Sequence, residues 1–227
     1  MAPDDTISFP EKRLTADSLS CRRGGRAVFE DLGFDLGAGD CLLLKGNNGS
    51  GKSSLLRILA GLLSATAGSV TWGNISLAGP AAAEMGLMIY SGHQHALKPV
   101  LSLGENCANY YQLMTGVPLA DEKLELAARA FGLYDLIEQP VKYFSSGQTH
   151  RGALLRFLLL DRPIWLMDEP TVGLDGENRK RLVAIMNSHM KCGGIIIAAS
   201  HDPLGVPSAV LNMADFAAKN ADLEQWL

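Results

Sequence analysis

One short segment restricts the fold of this chain more than any other. Residues 46–53 read GNNGSGKS and match the pattern GxxxxGK[ST]. The apolar run CLLLK precedes the segment directly, and the helix-like run SSLLRILAGLL begins at its last residue. A strand before the loop and a helix after it form the context that this pattern requires, and a chance match arises in about 1% of chains of this length or fewer. The segment therefore predicts a phosphate-binding loop within an α/β fold.

The residue types of this loop suit a bound polyphosphate. Glycines allow backbone N–H groups to turn inward at the start of a helix, where they form a concave site for an anion. In this pattern the lysine reaches the β- and γ-phosphates, and the hydroxyl residue ligates Mg²⁺. The sequence therefore predicts that a nucleoside triphosphate binds here with Mg²⁺. The predicted contact residues are Gly46, Asn47, Asn48, Gly49, Ser50, Gly51, Lys52 and Ser53.

Two adjacent carboxylates follow a second apolar strand. Residues 164–168 are apolar up to Asp168, and Glu169 comes next. Parallel sheets place ligand-binding residues beyond the C-terminal ends of their strands. Asp168 is predicted to hold Mg²⁺ with Ser53, and Glu169 to orient or deprotonate the attacking water. An Asp-Glu pair at a strand end is also common as a solvated turn, so this prediction depends on the phosphate loop.

Short apolar runs predict the sheets. Four runs are separated by stretches long enough for helices, which is typical of a parallel sheet buried on both faces. Three further segments alternate in polarity between glycine turns and predict an antiparallel β layer. The four runs are 41–45, 86–90, 164–168 and 195–199, and the alternating segments are 14–21, 28–36 and 69–77.

A helical insertion is predicted between about residues 101 and 160. No strand-like run occurs there, while 121–133 and 148–160 show helical spacing and contain good helix formers. No internal repeat or interdomain linker is evident. We therefore expect residues 1–227 to form a single α/β domain that combines a mixed sheet, an antiparallel layer and this insertion.

Composition excludes some classes of partner. The 227 residues carry 20 Lys plus Arg against 24 Asp plus Glu, so the basic excess expected of a nucleic-acid binder is absent. The longest apolar runs, such as 154–160, fall short of the roughly 20 residues that a membrane-spanning helix needs. The first residues do not resemble a signal peptide. Membrane attachment is therefore expected to come through a partner.

Residues 144–148 read FSSGQ and resemble the LSGGQ signature of ATP-binding-cassette proteins. The loop and the strand-end carboxylates fit the same family, as do Arg151 and Arg156 after the signature. The resemblance implies a P-loop ATPase fold with ATP and Mg²⁺ as ligands. It also implies that the signature binds the γ-phosphate held by an opposing subunit, in a head-to-tail dimer. Further residues carried over are Ser145, Ser146, Gly147 and Gln148 for the nucleotide, Asp175 across the dimer, and His201 as the γ-phosphate sensor.

Two positions depart from the family pattern. The family has a glutamine that contacts Mg²⁺ and the attacking water; ungapped spacing from Glu105 places His93 there, while side-chain chemistry favours Gln94. Both assignments stay open. The aromatic residue that usually stacks on adenine is missing, and Arg22 or Arg23 could stack on the base instead.

Several stretches resemble one branch of the family, the haem-exporter ATP-binding subunits of bacterial cytochrome c maturation. These stretches are residues 19–22, 26–29 and 92–98, with 103–106. The resemblance implies an ATP-hydrolysing motor at the cytoplasmic face of the inner membrane, bound to a polytopic permease subunit. It would drive haem export or release of a haem chaperone. A transport motor for another cargo and a non-transport cassette ATPase are the alternatives.

A haem or metal site built from histidines is not predicted. His93 and His95 would point to opposite sides of an extended segment, which argues against a shared haem or metal ligand set. His150 and His189 are expected to be exposed helix residues.

Overall fold

The computed structural model describes residues 7–77 and 85–218. In it, the strands form two separate sheets. One sheet is antiparallel and four-stranded, in the order β2-β1-β4-β5, and the other is parallel and five-stranded, in the order β6-β7-β8-β3-β9. The strands are β1 (Leu14–Arg23), β2 (Arg26–Leu36), β3 (Cys41–Lys45), β4 (Ala67–Trp72), β5 (Ile75–Ser76), β6 (Met88–Ser91), β7 (Ile164–Asp168), β8 (Ile195–Ala199) and β9 (Ala209–Asn212).

The parallel sheet separates two hydrophobic cores. Successive side chains of a strand point to opposite faces, so each central strand contributes to both. Leu166 and Ile197 face the core that the antiparallel sheet and the first helix cover, while Trp165 and Ile196 face the core of the helical side. Every residue of β7 and β8 is buried, which explains why their sequences are continuously apolar up to Asp168.

Helices cover the second face of this sheet and follow the phosphate loop. The helices are α1 (Lys52–Leu59), α2 (Leu103–Thr115), α3 (Asp121–Ala130), α4 (Ser146–Leu154), α5 (Arg156–Leu159) and α6 (Gly176–Lys191), with 3₁₀ turns at Tyr134–Leu136, Val141–Tyr143 and Met213–Phe216. Ser102 starts α2 with a capping box, in which its side chain accepts from the Glu105 amide and the Glu105 carboxylate accepts from the Ser102 amide.

The α/β architecture predicted from the sequence is confirmed. The predicted bounds of β3, β7 and β8 agree with the structure, and only helices connect β6 to β7. The segment 69–77 was predicted as one strand and is two, β4 and β5, because a turn at Gly73 (φ 57°) joins them. Strand β9 was not predicted, because it is an edge strand whose residues are mostly exposed. Within the described residues, no helix has the length and apolar character needed to cross a membrane.

Parallel pairing brings the functional strand ends together. β3 and β7 both pair with β8, in a register that places Leu44 and Asp168 each opposite Ala199. The phosphate loop, the two carboxylates and His201 therefore leave one edge of the sheet at neighbouring points.

Candidate nucleotide-binding site

The phosphate loop connects β3 to α1, and its glycines allow a conformation that other residues rarely adopt. Gly46, Gly49 and Gly51 have φ values of 149°, 82° and 100°. A Cβ on Gly51 would lie 2.8 Å from Cγ1 of Val28, so the loop also packs too closely against β2 for a side chain. No side chain caps α1, and its first turn has no acidic residue. The N–H groups at this helix start are therefore suited to an anion.

Lys52 holds its charge inside the loop. The residue is 7% exposed, and its Nζ donates to the carbonyl oxygens of Gly46 at 2.6 Å and Asn47 at 3.2 Å. These contacts keep the ammonium group beside the amides of the loop, and none of the acidic residues that the structure describes forms an ion pair with it. The predicted place of Lys52, Gly46 and Asn47 in one anion site is consistent with this geometry.

The two carboxylates after β7 occupy different environments. Asp168 ends the strand and is 8% exposed. Glu169 has a left-handed backbone with φ 54°, and its amide donates to the Ala199 carbonyl at 2.8 Å. Such a conformation costs a non-glycine residue on the order of 1–3 kcal/mol and persists only where the surroundings require it. The bond to β8 supplies that constraint, so the Glu169 side chain leaves the strand at a set angle.

His201 contacts both the loop and Glu169. Its Nε2 lies 3.1 Å from Oδ1 of Asn48 and 3.6 Å from Oε1 of Glu169. An amide oxygen only accepts, so His201 donates from Nε2 to Asn48. The predicted sensor residue thus lies between the phosphate loop and the predicted base.

These side chains line one cleft of about 600 Å³. The cleft also decides which of two neighbours is close to the site: His93 lines it, whereas Gln94 does not, although both are exposed. The role of either residue stays a prediction. The predicted residues that line the cleft are Asn48, Gly49, Ser50, Gly51, Lys52, Ser53, His93, Asp168, Glu169 and His201.

The oxygen donors of the cleft fit Mg²⁺. Ser53 supplies a hydroxyl and Asp168 a carboxylate, and both line the same cavity. Mg²⁺ prefers such hard oxygen ligands and usually keeps one or two protein carboxylates together with phosphate oxygens. Within the described residues Asp168 forms no ion pair, so its charge is available to a cation.

The signature residues lie outside this cleft and begin helix α4. Ser145 is the N-cap: its Oγ accepts from the Gln148 amide at 3.2 Å, and the Ser145 amide donates to Oε1 of Gln148 at 2.8 Å. A Cβ on Gly147 would lie 3.2 Å from the carbonyl oxygen of Gly173, which leaves this helix start close against the turn after β7. Ser146 is exposed. Their contact with a second subunit's nucleotide stays a prediction.

Asp175 likewise has a local role. Its Oδ1 accepts from the Asn178 amide at 2.9 Å and thereby caps α6. The hydrogen bonds from Asn178 lower the pKa of this carboxyl, which keeps it ionised. Asp175 does not line the cleft, so its role across a dimer remains a prediction.

Two residues that line the cleft come from the β1–β2 hairpin. They are Arg23 and Val28, and Val28 also lies close to Gly51. The hairpin turn at Gly24 and Gly25, both with positive φ, folds the strands back at this point. Of the two arginines considered for base stacking, Arg23 therefore lines the cleft.

Other contacts were missed at the sequence level. Thr171 and Ser200 are both 1% exposed, and their hydroxyls lie 3.3 Å apart, which joins the turn after β7 to the turn before His201. They are 29 residues apart in the chain, and no sequence pattern connects them. This buried pair therefore links the turns that carry Glu169 and His201.

The expectation that His150 and His189 are exposed is wrong. His189 is 6% exposed and stacks on Trp165, with ring centroids 3.7 Å apart. Its spacing from buried Leu182 and Met186 on α6 follows one helix face, and this was the available signal. His150 is partly buried, and its Nε2 lies 3.0 Å from the Pro170 carbonyl oxygen.

Two solved structures are similar in fold to this chain. A protein from Pyrococcus furiosus described as an ABC transporter ATP-binding protein superposes with a TM-score of 0.79 at 20% identity, over 91% of this chain and 100% of that one. An ATP-binding cassette of an ABC transporter in its ADP conformation gives a TM-score of 0.67 at 20% identity, over 86% and 83%. At this identity the likeness concerns the fold alone.

Sequence relatives extend the comparison. The chain is 44% identical over 193 residues to the cytochrome c biogenesis ATP-binding export protein CcmA of Rhodopseudomonas palustris. This alignment covers 85% of this chain and 94% of the relative. It is 41% identical over 209 residues to the protein of the same name from Paramagnetospirillum magneticum, with 91% and 96% covered. The ABC transporter family model matches residues 29–172. The chain therefore belongs to the ABC transporter family of ATP-binding cassettes and, within it, to the CcmA proteins.

Proposed function

We propose that this chain is the ATP-hydrolysing motor of an export complex that handles haem during cytochrome c biogenesis. The observation that carries the catalytic part is the meeting of Lys52, Asp168, Glu169 and His201 around one cleft. The relatives named above are cytochrome c biogenesis ATP-binding export proteins, and they support the assignment of a haem-related cargo.

Phosphate binding follows from the loop. The amides of the loop and the start of α1 receive the β- and γ-phosphates, and Lys52 exchanges the carbonyls of Gly46 and Asn47 for phosphate oxygens. Arg23 stacks its guanidinium on the base within the cleft.

Hydrolysis depends on Glu169 and His201. Glu169 accepts the proton of the attacking water, and His201 releases Asn48 and donates to the γ-phosphate instead. Ser53 and Asp168 hold Mg²⁺, which when bound neutralises charge on the phosphates. His93 is the better placed of the two residues considered for the neighbouring position beside the water, since Gln94 does not line the cleft.

A second copy completes the site. Ser145, Ser146 and Gly147 at the start of α4 lie outside this chain's own cleft, and Ser145 and Ser146 are exposed. In a head-to-tail dimer these residues, with Gln148, bind the partner's γ-phosphate, and Asp175 lies across the interface. ATP closes this dimer from both sides, and loss of the γ-phosphate reopens it.

The motor works beside a polytopic permease subunit at the cytoplasmic face of the inner membrane. Residues 1–227 act as one nucleotide-binding domain, and the helical insertion at about 101–160 transmits closure to the permease. ATP hydrolysis then drives haem export or release of a haem chaperone.

The cargo and the chemistry are tested separately. Lys52→Ala should abolish ATP binding by the purified chain and, in a native host, should abolish covalent cytochrome c assembly. Retention of cytochrome c assembly would contradict the haem role. Co-isolation of the chain with an unrelated permease would do the same but would leave the ATPase mechanism intact, whereas co-isolation with ribosomes or nucleic acid would contradict the transporter class.

A further inference from the structure

The start of the signature helix contacts the turn that carries Glu169 within the same subunit. His150 lies on α4, one turn beyond Ser145, and its Nε2 is 3.0 Å from the carbonyl oxygen of Pro170. Pro170 directly follows Glu169. Gly147 approaches the carbonyl of Gly173 in the same turn, so α4 touches this turn at two points.

The direction of the His150 bond follows from its acceptor. A carbonyl oxygen cannot donate, so the imidazole donates from Nε2. Burial lowers the pKa of His150, which favours the neutral ring. A neutral ring with its proton on Nε2 leaves Nδ1 without one.

A second histidine contacts the ring of His150. His95 packs edge-on against His150, with centroids 5.0 Å apart and an angle of 78° between the planes. The carbonyl oxygen of His95 accepts from Arg156 at 2.6 Å, and Arg156 also donates to the Ala153 carbonyl at 2.7 Å. These contacts limit rotation of the His150 side chain.

We propose that His150 is a positioning residue for hydrolysis: its Nε2–H fixes the Pro170 carbonyl and, together with the bond from the Glu169 amide to Ala199, holds the left-handed turn from which Glu169 reaches the water. The proposal rests on the proposed role of Glu169. Because α4 also carries the signature, the contact couples the nucleotide bound by one subunit's signature to the Glu169 of that same subunit.

Three variants of the full chain test the proposal in ATP hydrolysis. His150→Leu removes the donor and retains an apolar side chain; we expect kcat to fall about tenfold while KM for ATP changes less than twofold, since the phosphate loop is untouched. His150→Gln places an amide N–H near the same point and should restore kcat to within about threefold of the wild type. Glu169→Gln is the reference for complete loss of ATP hydrolysis.

The outcomes separate this proposal from the proposed function. Wild-type kcat in His150→Leu, or a fall in His150→Gln as large as in His150→Leu, would overturn the positioning role while hydrolysis through Glu169 stands. Absence of ATPase activity in the wild-type chain assayed together with its co-isolated permease would contradict the proposed function.

A measurement independent of activity and of any variant decides the hydrogen bond itself. In ¹⁵N-histidine NMR spectra of the wild type near neutral pH, His150 should carry its proton on Nε2. Observation of the Nδ1–H tautomer would overturn the proposal, whatever the ATPase rates are.

Discussion

Lowering the pH from 7 to 5 should destabilise the folded chain through His189. Burial between Phe9 and Trp165 lowers the pKa of this imidazole from its usual 6.5 to about 4. The unfolded chain therefore takes up the proton at higher pH than the folded chain does. The contribution of neutral His189 to the free energy of unfolding is complete above pH 6.5, and it is lost as the pH falls towards 4. With these two pKa values, the free energy of unfolding decreases by about 2 kcal/mol between pH 7 and pH 5. Below pH 4 the decrease relative to pH 7 reaches about 3 kcal/mol.

Urea unfolding followed by tryptophan fluorescence at both pH values measures this loss. The control is His189→Phe, which keeps an aromatic ring against Trp165 and cannot titrate. Carboxylates contribute equally to both proteins, so the difference between them isolates His189. We expect the variant to lose about 2 kcal/mol less unfolding free energy than the wild type over this range. Equal losses in the two proteins would refute the reasoning.

Three further predictions concern the nucleotide site. Glu169→Gln should accumulate as an ATP-bound dimer in size-exclusion chromatography, because an amide cannot take the proton of the attacking water; an exclusively monomeric variant at high ATP would contradict the paired site. Arg23→Ala should raise KM for ATP about fivefold with kcat unchanged, since a stacked guanidinium contributes about 1 kcal/mol, whereas Arg26→Ala, on the same hairpin outside the cleft, should leave KM unchanged. Gly51→Ala should abolish nucleotide binding in fluorescence titrations and lower the urea midpoint, since φ is 100° and the added Cβ would lie 2.8 Å from Val28 Cγ1; wild-type affinity would contradict the close packing.

The strands that carry the site could be predicted because buried strands require continuous runs of apolar residues. β7 and β8 are buried on both faces and are continuously apolar until the sheet edge, where Asp168 and Ser200 begin the polar turns. β9 could not be predicted, since an exposed edge strand needs no apolar pattern. The role of the glycines in the phosphate loop could also be predicted, because a backbone with positive φ favours glycine at that position itself.

Residues whose surroundings come from distant parts of the chain were less predictable. His189 was expected in solvent, yet α6 packs this face onto Trp165. The location of His93 and Gln94 relative to the cleft depended on the path of a loop: His93 lines the cleft and Gln94 does not, and the role of either residue stays a prediction. In both cases the sequence supplied a residue type, and the side of the molecule that it faces followed from packing.

The sequence by itself determined the phosphate loop, the strand-end carboxylates and the α/β class, because each depends on residues adjacent in the chain. Only the tertiary structure decided which side chains meet: His201 with Asn48, Thr171 with Ser200, and His150 with Pro170. The physical reason is that hydrogen bonds act over about 3 Å, whereas the chain separations of these pairs are 153, 29 and 20 residues. Such pairs come within reach only when the register of the parallel sheet and the packing of α4 are established.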